Sequence, residues 1–275
     1  MQRRLLECTA RALLYGSTLI VCALLIAIVS IVFFRGAPYL TRELLTSEES
    51  ILHGTVGILP AMINTMVVIF LSLAIALPIG IGTAVYLTEY AKNRTFVSII
   101  EFSTEVLAGI PSIIYALIGV IIFCTKLGLQ KTLLSASLTL SIMILPTVIR
   151  TTGENLKTVP QSYREGALGL GAGKWHTVAT IVLPCALRGI ITGCILSIGR
   201  VAGESAVLLY TAGLSTSMQS FLPREFFHAS GATLSSALYL YAKERSDWNT
   251  AFAIALLLLM LMLLITLAAE QMRKS

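Results

Sequence analysis

Long uncharged apolar runs separated by short polar segments set the pattern of this chain. Six runs stand out, at residues 13–34, 63–87, 106–124, 133–149, 187–210 and 250–269. Spanning a hydrocarbon layer of roughly 30 Å takes about 20 residues at helical rise, so each run is read as a membrane span. The fifth alone holds charges, at Arg188, Arg200 and Glu204. Breakers interrupt three others: Pro78 with Gly80 and Gly82, Gly109 with Pro111, and Pro146. In membrane helices such residues usually mark kinks whose freed backbone groups find partners in neighbouring helices, and that reading is favoured over hinges along a path.

The longest polar segment, residues 150–187, has a helical pattern of its own. Pro160 suits a first helical turn, and Tyr163, Ala167 and Leu170 recur at i, i+4 and i+7 as a short apolar face. Gly169, Gly171 and Gly173 should end that helix, and residues 175–182 should form a second one, stopped at Pro184. Within the fifth run, Gly189 with Gly193 and Gly199 with Gly203 are small-xxx-small spacings that let helix backbones approach closely. The spacing leaves open whether the partner helix is internal or belongs to another subunit.

Composition narrows the class. Of 275 residues 56% are hydrophobic and only 12% charged, against about 25% charged in soluble domains. The mean hydropathy of +0.85 makes lipid the solvent. A net charge of +6 would suggest nucleic acid in a soluble protein. Here its placement says more, and no nucleic-acid partner is expected. With the N-terminus inside, twelve basic residues fall in cytoplasmic segments and seven in outer ones, leaving Arg200 inside a span. By the positive-inside rule both termini and the 150–187 loop are cytoplasmic.

The first run is too long for a signal-peptide core and no small-residue cleavage pattern follows it, so it is read as a retained anchor. Without a linker or a repeat, residues 1–275 form a single all-α membrane domain with membrane lipid around it. Cys8, Cys22, Cys124, Cys185 and Cys194 lack CxxC spacing and act as small hydrophobes. His53, His176 and His228 fall in separate loops, which argues against a shared metal site.

One phosphate-binding motif fails on inspection. Residues 169–174, Gly-Leu-Gly-Ala-Gly-Lys, lack the earlier Gly of a P-loop, and Trp175 stands where a magnesium-binding hydroxyl belongs. No Ser/His/Asp set, carboxylate pair or GxSxG elbow supports an intramembrane hydrolase either. The chain is read as a non-enzyme without a cofactor of its own.

The same loop carries a more specific pattern: Glu165-Gly166-Ala167, then Gly171, then Ile181-Val182-Leu183-Pro184. Over residues 165–184 this resembles the EAA loop of ABC importer permeases, with Gly166 in place of the usual first Ala. Leu107-Ala-Gly-Ile-Pro-Ser-Ile-Ile-Tyr115, the stretch from Arg200 to Gly213 and the stretch from Ala232 to Ala242 resemble PstA-type permeases of bacterial phosphate importers. The resemblance implies six transmembrane helices in type I permease architecture, with a coupling helix that docks on a cytoplasmic ATPase through Glu165, Gly166, Ala167 and Gly171. It further implies a PstC-like second permease and two ATPase copies carrying ATP and Mg. A phosphate-binding protein would sit outside the bacterial inner membrane, and phosphate would move by alternating access.

Arg200 lies about 18 Å along a helix from Arg188, near mid-membrane, and Glu204 follows one turn on. Charged residues at that depth cost about 2.5–3.5 kcal/mol on translocon scales and usually face a cavity or a partner. The two residues form either a structural i, i+4 pair or a transport site, in which the Arg200 fork takes the oxyanion and Glu204 balances it in the empty state. Arg150 matches a second family arginine thought to serve the path, and equally fits a positive-inside anchor. The rival readings are a permease for another oxyanion or nutrient and, from a different class, a membrane enzyme or self-contained channel. The topology is directly testable. In a variant lacking native cysteines, Lys174→Cys should resist a membrane-impermeant thiol reagent in sealed cells, and labelling from outside would overturn the assignment.

Overall fold

The computed structural model describes residues 2–48, 57–216 and 229–274, so His53, Arg224 and His228 lie outside the described residues. The regular elements are helices α1 (Gln2–Gly36), α2 (Arg42–Thr46), α3 (Leu59–Tyr90), α4 (Arg94–Ala108), α5 (Ser112–Lys126), α6 (Leu133–Thr158), α7 (Gln161–Gly169), α8 (Lys174–Ala202), α9 (Ala206–Thr211), α10 (Leu234–Tyr239) and α11 (Trp248–Lys274). Five of them, α1, α3, α6, α8 and α11, are long and apolar enough to cross a membrane alone. The bent pair α4 and α5, taken as one broken span, brings the number to six among the described residues.

That sixth span departs from the continuous helix expected over residues 106–124. The chain breaks between Ala108 and Ser112 and turns through 97°. Pro111 disfavours helical backbone at Ile110, and with Gly109 beside it α4 has no means to continue. The Tyr115 hydroxyl reaches back across the break and donates to the Leu107 carbonyl at 2.8 Å, satisfying one of the end carbonyls. Pro78 and Pro146 behave differently, since both sit inside continuous helices.

The fifth run is also corrected at both ends. Residues 175–182 are not a separate helix stopped by Pro184; they are the first turns of α8, which continues through the proline. A wider π-helical turn, Val178–Val182, directly precedes Pro184, and the Leu183 N–H closes it on the Val178 carbonyl. Such a turn accommodates a residue that has no N–H to give. At the other end α8 stops at Ala202, before Glu204, instead of running to residue 210.

Helix α6 is the centre of the bundle and packs on α3, α4, α5 and α8. Its contact with α3 includes a reciprocal pair of bonds between buried serines. Ser72 Oγ donates to the Ser137 carbonyl at 3.2 Å, and Ser141 Oγ donates to the Ser72 carbonyl at 3.2 Å. Each such bond within a membrane is worth about 0.6 kcal/mol on average, so packing carries most of the stability. An apolar cluster around Val68, Leu140, Met143, Ile144 and Leu208 fills the middle of the bundle. A second, around Leu156, Val178 and Val182, closes the end that carries α7. Helix α1 stands apart, packed on α11, with apolar side chains such as Leu13, Leu24 and Phe34 exposed.

The glycines of α8 show where its small-residue spacing points. A Cβ added at Gly189 would fall inside the Asn155 side chain, and one at Gly193 would strike the Thr151 hydroxyl. The close approach is therefore internal, between α8 and α6. Gly193→Leu should cost about 1–3 kcal/mol through overpacking. Thermal unfolding in detergent should show a lowered midpoint for it, whereas Gly16→Leu, with open space around Gly16, should match the parent protein.

Candidate functional site

Two groups of polar residues break the apolar character of the bundle. The first surrounds the last turn of α8. Arg200 is half-buried there, and its Nη1 donates to Thr147 Oγ1 of α6 at 3.4 Å. Among the described residues no carboxylate comes within ion-pairing distance of it.

Glu204 is occupied elsewhere. Because α8 ends at Ala202, the structural i, i+4 pair that the spacing permitted does not form. Glu204 turns onto the start of α9, where its Oε1 accepts from the N–H groups of Ala206 at 3.1 Å and Val207 at 3.3 Å. Its own carbonyl accepts from Ser235 Oγ at 2.8 Å. A carboxylate at a helix start satisfies donors that hydrocarbon would leave unpaired.

Thr147 and Arg150 are three residues apart on α6 and so share a face. Arg150 is exposed, bonded through Nε to Glu154 at 2.9 Å and facing Glu105 of α4 at 3.9 Å. Lys157 reaches Glu101 of α4 at 2.8 Å. These residues line a cleft of about 240 Å³ between α3, α4 and α6. Their pairs are more than half exposed, so water competes for each and weakens it. Arg150 thus lies in a charged cleft one turn from the Arg200 contact.

The second group is built around α7. Its end is a Schellman arrangement: the Ala172 N–H bonds the Ala167 carbonyl at 3.0 Å and the Gly171 N–H bonds the Leu168 carbonyl at 3.0 Å. This places Gly171 at φ +84, the left-handed region that glycine adopts without strain, while a Cβ there would meet open space. Ala167 is buried, whereas Glu165 and Gly166 are exposed. The apolar face expected from Tyr163, Ala167 and Leu170 does not pack as a unit, because Tyr163 is exposed and Leu170 is 91% exposed. With the helix ending at Gly169, Leu170 falls on the turn beyond it.

Sequence reasoning missed the residue that anchors α7. Arg164 forks onto Glu89 at the end of α3, with Nη2 at 2.6 Å from Oε1 and Nε at 3.0 and 3.2 Å from the two oxygens. The same guanidinium donates to the carbonyls of Val159 at 2.7 Å and Leu156 at 3.0 Å. The two side chains are 13% and 8% exposed. Removing one partner of so buried a pair typically costs about 3–5 kcal/mol. The partners are 75 positions apart, so no local spacing announces the pair; the one available signal is that the predicted topology puts opposite charges at 89 and 164 on the same cytoplasmic side.

No cluster of three His, Cys, Asp or Glu side chains that could hold a metal ion occurs among the described residues. Residues 76–274 match the binding-protein-dependent transport system inner membrane component family, a stretch that holds both polar groups. The chain belongs to this family. It is 32% identical over 284 residues to the phosphate transport system permease protein PstA 1 of Mycobacterium tuberculosis strain H37Rv, covering 99% of this chain and 89% of that one. It is 34% identical over 221 residues to the probable ABC transporter permease protein YqgI of Bacillus subtilis, covering 80% and 75%.

Solved structures of this architecture include a bacterial alginate ABC transporter in complex with a pentasaccharide-bound periplasmic protein. One of its chains matches with a TM-score of 0.67 at 17% identity, covering 94% of this chain and 93% of that one. A chain of the inward-facing MetNI methionine ABC transporter matches at 0.61 and 20% identity, covering 79% and 93%. At such identities the likeness shows the fold, that of ABC importer permeases. As a member of the inner membrane component family, the chain is a multi-pass membrane protein.

The geometry at Gly171 separates backbone from bulk. Gly171→Asn, which tolerates positive φ, should keep α7 intact, whereas Gly171→Val should destabilise its end by about 1–3 kcal/mol. Limited proteolysis of the purified protein should cut the valine variant faster within residues 169–175, and equal rates would refute the backbone reading.

Proposed function

We propose that this chain is the permease subunit of an ATP-driven importer of inorganic phosphate, working by alternating access with both termini in the cytoplasm. The observation that carries the chemistry is Arg200: a half-buried guanidinium in a membrane span, bonded to one threonine and paired with no carboxylate among the described residues. An arginine left in that state offers a planar fork to an oxyanion, and burial strengthens the interaction. The relatives named as phosphate permeases supply the substrate class.

In this reading Arg200 is the central anion contact, Arg150 stands one turn nearer the exit on the same face of α6, and Glu204 shapes the break beside Arg200. A PstC-like second permease completes the path, and a phosphate-binding protein delivers the anion from outside. Two copies of an ATPase, holding ATP and Mg, dock below. One copy meets this chain at α7 with its flanking turn, where Glu165, Gly166 and Gly171 are exposed and Ala167 packs inward. Leu170 and Trp175, 91% and 66% exposed, supply apolar surface for that contact.

The decisive variant is Arg200→Lys in the complete complex, reconstituted in liposomes with the binding protein. It keeps the charge and loses the fork, so phosphate uptake should fall about ten-fold or more. Glu204→Gln, which can still accept from the α9 N–H groups, should stay within about two-fold of the parent. Near-normal uptake by Arg200→Lys in an assembled complex would move Arg200 out of the transport path.

A further inference from the structure

One buried ion pair stands out among the described residues, because it joins three elements and lies outside the path of the anion. Arg164 belongs to α7, Glu89 to the last turn of α3, and the carbonyls of Leu156 and Val159 to the end of α6. From α7 the guanidinium uses its three nitrogens on both other elements at once, a geometry no other cationic side chain reproduces. The two side chains are only 13% and 8% exposed, on the wall of a cleft that Val159 and Val178 also line.

We infer that Arg164 and Glu89 are positioning residues for energy coupling, forming the joint that makes α7 move with the ends of α3 and α6. The inference rests on the reading of α7 as the ATPase contact and adds to it the route by which force leaves that helix. Two features single out this pair. The ion pairs of Arg150 and Lys157 are more than half exposed, so water competes for them and they transmit little displacement. The α7 pair is far less exposed, at 13% and 8%, and directional. It also ends on α6, the helix whose face carries Thr147 and Arg150. A push on α7 thereby reaches the helix that touches Arg200 through one side chain and one length of rigid helix.

The test compares Arg164→Lys and Glu89→Gln with the parent in the whole complex in liposomes, reading two quantities: ATPase subunit retained per permease, and phosphate moved per ATP hydrolysed. We expect retained ATPase and a fall of about ten-fold in phosphate per ATP, within the usual range of coupling free energies. A merely structural pair would lower the yield of complex and leave the ratio unchanged in what assembles, which would overturn the proposal. If Arg164→Lys fails to assemble, Glu89→Gln, which preserves shape and one acceptor oxygen, still reports the ratio. Leu170→Glu, on exposed surface away from the pair, separates the two readings. If it leaves the ATPase bound, α7 is not the docking helix and the proposal falls with that reading. If it strips the ATPase while both pair variants keep the parental ratio, the docking reading stands and the joint alone is wrong.

Discussion

Hydrocarbon offers no hydrogen-bonding partner, so every interruption of a helix inside it must be closed by the protein itself. Among the described residues, breaks at 109–111 and 203–205 interrupt the bundle, and each is met by a side chain. Tyr115 reaches the Leu107 carbonyl across the first, and Glu204 takes two backbone N–H groups beyond the second. This requirement explains why an acidic residue sits beside a cationic one in a membrane span without pairing to it. The carboxylate answers a local demand for acceptors, and Arg200 remains available to something else.

Helix α6 gathers most of the polar business of the molecule along its length. Its first half exchanges serine bonds with α3, its middle offers Thr147 to Arg200, its next turn carries Arg150, and its last carbonyls meet Arg164. A helix buried on several sides by close-packed neighbours behaves as a strut, and Gly189 and Gly193 of α8 leave room for its Asn155 and Thr151 side chains. Polar contacts separated by tens of ångströms are thus linked by one continuous element rather than by a relay of loops.

Much of this was legible in the pattern of apolar runs, because burial in lipid imposes a length and a composition that soluble folds do not. The breaks were harder. Pro78, Pro146 and Pro184 each remove one N–H from a helix that continues, while Pro111 with Gly109 ends one; a single residue type gives both outcomes, and the neighbouring glycine and tertiary contacts decide between them. Of the two readings of Arg200 and Glu204, the i, i+4 pair required a helix that Gly203 ends. Arg164 was invisible to spacing because Glu89 lies on another helix. Polarity in sequence marks a site, but the partner is chosen by the fold.

Arg200 of α8 and Arg150 of α6, both beside one face of α6, meet different partners. Arg200 meets one hydroxyl, whereas Arg150 is bonded to Glu154 and faces Glu105 across a solvated cleft. On the proposed reading, an anion at Arg200 gains a charge-assisted fork in a medium of low dielectric constant, where Coulomb attraction is several-fold stronger than in water. At Arg150 the same anion competes with resident carboxylates and with water, so its hold is weak. An importer needs that order, because a second strong site at the exit would trap the substrate it had just admitted. The carboxylates around Arg150 then keep the exit arginine from becoming a second binding site.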